Sequence, residues 1–168
     1  MILPFSTKLN GKETFFVEKI QKALKKFYFP KIEFKVEYIP DNCNLIAYAI
    51  AKPKLHTIRE DKNNRWKAGT LIDFYINVRT KNMFRFAPRI PVVSTQKVEI
   101  TRHENCGFVK TQILIDDMVF YYKYGNRTID RGILKLAQND GFYTVEEFLA
   151  YFNQDFTGKI IHWTDLRY

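Results

Sequence analysis

Two periods run through this chain. Across residues 10–28 the apolar positions Phe16, Ile20, Ala23, Leu24 and Phe27 recur every three or four residues. A helix gathers them on one stripe and turns Lys19, Lys22, Lys25 and Lys26 largely toward water. Asn10 with Glu13 three residues on has capping-box spacing, and Pro30 stops the helix. Elsewhere the period is two. Residues 1–9 read as an extended lead-in. Residues 32–38 alternate strictly and predict a strand with one dry face, followed by a turn at Pro40-Asp41-Asn42. Residues 44–52 are short and apolar, and fit either a helical turn or a buried strand. Strands are then expected over 70–78, partly over 83–89, over 91–100, and over 112–115 and 118–122, the last two joined by an Asp116-Asp117 turn. Tyr121, Tyr122 and Tyr124 fall where this hairpin ends. Helical spacing returns over 133–153: Ile133, Leu134, Leu136 and Ala137 up to Asn139-Asp140-Gly141, then a helix capped by Thr144 with Phe148, Leu149 and Phe152 as its stripe. Gly158 opens a closing strand over 158–164. The order of elements is that of one α+β domain over 1–168.

Composition narrows this reading. A hydrophobic fraction of 46% with 15 Phe and 10 Tyr excludes a disordered chain and favours an aromatic, β-rich core. No apolar run is long enough to span a bilayer and no secretory signal heads the chain, so a cytoplasmic protein without a membrane partner is expected. Cys43 and Cys106 read as two reduced structural thiols. They and His56, His103 and His162 lack the tight spacing of metal ligands, so neither metal nor cofactor is expected. The net charge is +9, and residues 52–89 alone carry ten Lys/Arg against three Asp/Glu. A segment of that balance suits a phosphate-bearing partner, or is simply a solvated face.

The basic segment contains the most distinctive stretch, residues 52–69: Lys54-x-x-Thr57-Ile58-Arg59-Glu60, then Trp66, Lys67 and Gly69. Pro53 resists a helix. In an extended chain Leu55, Thr57 and Arg59 share one face and Lys54, His56 and Ile58 the other. Lys54 therefore meets Thr57 only if the chain turns or bulges between them.

This stretch resembles the ASCH domain, a branch of the PUA-like β-barrel superfamily. It is most similar to the small bacterial amidohydrolases that act on N4-acetylcytidine, which read Lys-x-x-Thr-Ile-Arg-Asp, then Phe-Lys-x-Gly, then a barrel strand. The similarity is close over residues 54–76, weaker over 136–152, and returns at the final strand. It implies a small β-barrel flanked by helices, with the 10–28 helix as an addition packed on it. It also implies an amidohydrolase set in which Thr57 attacks an amide carbonyl, Lys54 is the base, and Asp140 supplies the acid. Asp140 is one methylene shorter than the Glu of the family, and it also suits a role in fixing its own turn with Gly141.

The remaining candidates each carry two readings. Arg59 binds a phosphate or carbonyl oxygen, or pairs with an internal carboxylate such as Glu60, Asp61 or Asp140. Trp66 stacks on a base or packs in the core. His56 bonds a substrate or the backbone. Arg79 and Lys81 hold a phosphate or face solvent, and Lys52, Arg65 and Lys67 complete the basic set. Two functions follow. One is an ASCH-type domain that binds RNA or a nucleoside or nucleotide in a basic cleft formed by Lys52, Lys54, His56, Arg59, Arg65, Trp66, Lys67, Arg79 and Lys81. The other is an amidohydrolase that deacylates a modified cytidine through Lys54, Thr57 and Asp140.

Overall fold

A computed structural model describes residues 1–28, 38, 44–105 and 107–168. The strand expected over 32–38, the turn at 40–42 and both cysteines lie outside the described residues, save Tyr38.

The chain opens with β1 (Ile2–Phe5), whose alternate residues Leu3 and Phe5 are buried. The short strands β2 (Lys8–Leu9) and β3 (Lys12–Glu13) pair as a hairpin across Asn10 (φ 50°) and Gly11 (φ 77°). The capping box expected at Asn10 is therefore not formed. An Asn-Gly pair with both φ positive is the preferred two-residue hairpin turn, and that local preference wins over the cap spacing. The helix α1 (Phe16–Tyr28) starts later. Thr14 steers the chain into it, its hydroxyl donating to Ser6 O (2.8 Å) and accepting from Phe16 N. Phe16, Ile20, Ala23 and Leu24 are buried as the stripe requires, but Phe27 is 47% exposed and Lys19, expected in water, is buried. Residues 44–52 resolve as a helix, α2 (Leu45–Ile50), capped by Asn44 Oδ1 accepting from Ala47 N at 2.9 Å.

The strands then follow: β4 (His56–Arg59), β5 (Leu71–Ile76), β6 (Phe84–Arg85), β7 (Ile90–Pro91), β8 (Ser94–Asn105), β9 (Phe108–Ile115), β10 (Met118–Tyr124) and β11 (Arg127–Asp130). Asp116 and Asp117 turn β9 into β10 with φ of 49° and 65°. The strand β11, paired to β10, carries no apolar alternation buried by the fold and was not expected. Two short helices, α3 (Ile133–Asn139) and α4 (Val145–Tyr151), precede the final strand β12 (Phe156–His162). Thr144 caps α4 as anticipated, accepting from Glu147 N.

The closed small barrel expected from the family resemblance is not what these strands build. They form a six-stranded sheet in the order β11-β10-β9-β8-β12-β4, a smaller sheet of β1, β5 and β6 with β7 on β5, and the β2-β3 hairpin. Closure would require the edges of one sheet to meet. Instead β4 is a four-residue edge whose outward groups are taken by other parts of the chain: Ile58 N donates to Asp140 Oδ1, and just before the strand Leu55 N donates to Asn139 O. The neighbouring strand β12 buries both faces. Ile160 joins the core formed by β8, β9, α3 and α4, while Ile161 joins Phe5, Phe16, Phe74 and Trp163 in a second core under α1 and the small sheet. The large sheet is thus a wall between two cores.

Gly158 lies against the end of β4. A Cβ built there would lie 2.3 Å from Arg59 O, a backbone atom that cannot step aside. Gly158→Ala is expected to cost more than about 2 kcal/mol, by forcing the β4–β12 pairing apart. Urea unfolding of the two proteins measures this, and equal midpoints would contradict the packing described.

Candidate functional site

Three bonds shape the chain just ahead of β4. Lys54 N donates to Lys19 O (3.1 Å), Leu55 N to Asn139 O (2.8 Å), and Trp163 Nε1 to Lys54 O (3.2 Å). They hold residues 54–55 off the line of the strand, so the Lys54 side chain escapes its alternation. Lys54, Thr57, Arg59 and Asp140 line one small cleft of about 30 Å³, together with Ser6, Leu9, Phe16 and Phe142. Ile58 and Tyr151 line the same cleft, so Lys54 and Thr57 share one opening without a turn between residues 54 and 57.

Asp140 arrives at the cleft as the C-cap of α3. The chain reverses at Gly141 (φ 96°), where a Cβ would lie 2.8 Å from the Phe16 ring and 3.1 Å from Lys54 Cδ, so only glycine fits. This close turn brings the Asp140 backbone against the edge of β4, and the shorter carboxylate reaches. Its Oδ1 accepts from Lys54 Nζ at 2.6 Å and from Ile58 N at 3.2 Å, and Lys54 Nζ also donates to Asp140 O. Both side chains are buried, Lys54 at 1% exposure and Asp140 at 4%.

Burial sets the electrostatics. Desolvation lowers the Lys54 amine to about 8, against the pull of Asp140 and with the help of the Arg59 charge. The same burial pushes the Asp140 carboxyl up, opposed by Lys54. Lys19 stands behind this pair, its Nζ donating to Gly141 O (2.7 Å) and lying 4.1 Å from the centre of the Tyr143 ring. Burial and the nearby Lys54 lower it too, to about 8. Arg59 takes no ion pair among the described residues. Its Nη2 donates to Pro4 O (2.7 Å), and its buried Nε has no partner among them. The internal carboxylates offered to it are otherwise engaged: Asp140 holds Lys54, and Asp61 accepts from Arg65 N and Trp66 N and pairs with Lys159 at 3.2 Å.

A larger groove of about 250 Å³ continues from the cleft, sharing Leu9, Phe16, Phe142 and Tyr151 with it. The β2–β3 hairpin forms one side and α4 the other, and Tyr143 and Lys19 line it as well.

The other expected binding residues do not converge here. His56 is fully buried, its Nε2 2.7 Å from the Tyr168 hydroxyl, on the face of β4 opposite Thr57. Trp66 is 5% exposed in the core with Phe5 and Trp163, so it offers no stacking face. Lys52 is exposed and donates to Gln138 Oε1, and Arg65, Lys67, Arg79 and Lys81 are exposed outside the cleft lining. The sequence reading missed Lys19, Phe16, Phe142 and Tyr151. Lys19 left no signal, because a lysine in a helix reads as solvated unless its tertiary partner is known.

Among the described residues no group of three or more His, Cys, Asp and Glu side chains is placed to hold a metal ion, and no helix is long and apolar enough to cross a membrane. Comparison of the chain with family models, curated proteins and solved structures gives no match.

The Lys54–Asp140 pair is buried enough that removing one partner strands the other. Asp140→Ala is expected to lose about 3–5 kcal/mol of stability. The double variant Lys54→Met/Asp140→Leu is expected to recover most of that loss in urea unfolding. A double variant no better than Asp140→Ala would show that the pair's charge is not the cause.

Proposed function

We propose that the cleft is a hydrolytic site for an amide of a flat amine, of the kind represented by N4-acetylcytidine. The observation that carries this reading is the Lys54 amine, buried and held 2.6 Å from Asp140 in a cleft that Thr57 and Arg59 also line. The likeness of residues 54–69 to the ASCH amidohydrolases supports it as a local likeness, without the barrel. Uncharged Lys54 takes the proton of the Thr57 hydroxyl as Oγ1 attacks the acyl carbon. The unpartnered Arg59 Nε–H is available to the oxyanion. The C–N bond then breaks, the Lys54 ammonium returns the proton to the departing amine, and the acyl group stays on Thr57 as an ester. Water, deprotonated by Lys54, attacks the ester carbon, the acyl C–Oγ1 bond breaks, the Lys54 ammonium returns the proton to Thr57 Oγ1, and the acid departs. Asp140 positions the lysine, and the groove walled by Phe16, Phe142, Tyr143 and Tyr151 receives the flat ring.

Incubation with N4-acetylcytidine is expected to release cytidine. Thr57→Ala should lower the rate by at least about 100-fold, while Thr57→Ser retains activity. Because Lys54 acts when uncharged and burial lowers it to about 8, the rate should rise with pH through that value. No cytidine release, or a rate in Thr57→Ala equal to the parent's, overturns the reading.

A second reading rests on the exposed cations Arg65, Lys67, Arg79 and Lys81, which suit a phosphate backbone. If this face binds single-stranded RNA, affinity falls as salt rises and Arg79→Ala/Lys81→Ala flattens that slope. Affinity independent of salt removes this reading.

A further inference from the structure

The face of β4 opposite Thr57 carries a buried polar row. Pairing in the sheet sets His56 beside His162 and His162 beside Ser94. His56 and His162 are both fully buried, their ring centres 5.3 Å apart, and both nitrogens of His162 lack a partner among the described residues. Into this row comes Tyr168, whose hydroxyl lies 2.7 Å from His56 Nε2 and accepts from Asn139 Nδ2 at 2.8 Å. Asn139 immediately precedes Asp140.

We infer that His56 is a positioning residue for the Lys54–Asp140 pair, fixed by Tyr168 in the tautomer that aims an N–H at Asp140. An amide nitrogen only donates, so Asn139 occupies a lone pair of the Tyr168 hydroxyl. The single phenolic proton is then free to point at His56 Nε2, which makes that nitrogen an acceptor. A neutral imidazole with Nε2 as acceptor carries its hydrogen on Nδ1. His56 Nδ1 has no hydrogen-bond partner among the described residues and lies 3.8 Å from Asp140 Oδ1, the oxygen that holds Lys54 Nζ. Burial keeps His56 uncharged, well below its ordinary range.

The arrangement has a use in the proposed reaction, and in that respect it rests on the hydrolytic reading. When Lys54 is uncharged, Asp140 loses its counter-ion. The Nδ1–H dipole of His56 then helps keep the carboxylate ionised and oriented, and no proton passes through the ring. The charged and titratable groups around this chain are Lys54 and Arg59 in the cleft, Lys19 beyond Lys54, and His162 and Tyr168 on the far side of His56.

The tautomer can be read without turnover. Long-range proton–nitrogen correlation on the ¹⁵N-labelled protein at neutral pH is expected to show His56 protonated on Nδ1 and bare on Nε2. Tyr168→Phe, which removes only the hydroxyl, is expected to shift His56 toward the Nε2–H form. Turnover of N4-acetylcytidine supplies the second arm. His56→Gln keeps a group near Tyr168 but none at the Nδ1 position, and is expected to lower kcat on the order of tenfold with KM little changed. It should also move the rise in rate to higher pH, since the state with Lys54 uncharged and Asp140 ionised loses the dipole that stabilised it. His56→Asn, whose amide nitrogen occupies the Nδ1 position, should restore the parent's pH profile. An Nε2–H tautomer in the parent protein overturns the inference, as does a pH profile in His56→Gln identical to the parent's. If the parent releases no cytidine, the hydrolytic reading fails while the tautomer still decides the role of His56.

Discussion

The structure depends on how the free edge of β4 is closed. A strand at the end of a sheet presents unpaired backbone groups, and these are satisfied by another strand, by water or by cover. Here the cover is the C-terminal turn of α3. Asn139 O takes Leu55 N just before the strand, and Asp140 Oδ1 takes Ile58 N within it. A carboxylate placed there, shut away from water, needs a cation. Lys54 supplies it, itself buried beneath Phe16, with Nζ 4.7 Å from that ring centre. Edge closure and the buried ion pair are one arrangement, and each part has a partner only because the other is present. A buried pair of this kind is costly to assemble, so it stabilises less than its short distance suggests. What it does in this structure is tie the chain just ahead of β4 to the turn that ends α3.

The large sheet stays open because its end strands, β4 and β11, do not pair with each other. β12, next to β4, carries Ile160 into one core and Ile161 into the other. β4 beyond it is short and already covered. The two cores nonetheless meet at the site. Thr57 shares the face of Ile161 toward α1, while Ile58 shares the face of Ile160 toward α3 and α4.

Much of this was legible along the chain where one local preference acted alone. The stripe of α1, the Thr144 cap, the Asp116-Asp117 turn and the stop at Asn139-Asp140-Gly141 follow from period, caps and turn chemistry. Where two local signals competed, the reading failed. Asn10 with Glu13 fits a capping box, but Asn10 with Gly11 also fits a hairpin turn, and only the pairing of Lys8 with Glu13 decides between them. The grouping of Lys54 with Thr57 was readable as a condition, because alternation forbids it unless the chain departs from the strand. Lys19, His56 and Trp66 were not readable. Their positions are set by what packs over them from 93 to 122 residues away, by Gly141 for the first, Tyr168 for the second and Lys159 for the third. Barrel closure failed for a related reason: a short likeness fixes local geometry, whereas closure depends on how remote edges meet.

The division of β4 into two faces also bears on what the cleft can do. Thr57 and Arg59 point to the side lined by Phe16 and open toward the groove, whereas His56 points into closed core. A threonine hydroxyl alone is a weak nucleophile, and a lysine held by a carboxylate alone is a weak base. What changes their chemistry is the shared lack of water. Burial lowers the amine toward neutrality, and the nearby Arg59 charge pushes the same way. The carboxylate opposes both, and keeps the amine oriented while it is charged. An amine near neutrality that stays positioned in both of its states is suited to proton transfer.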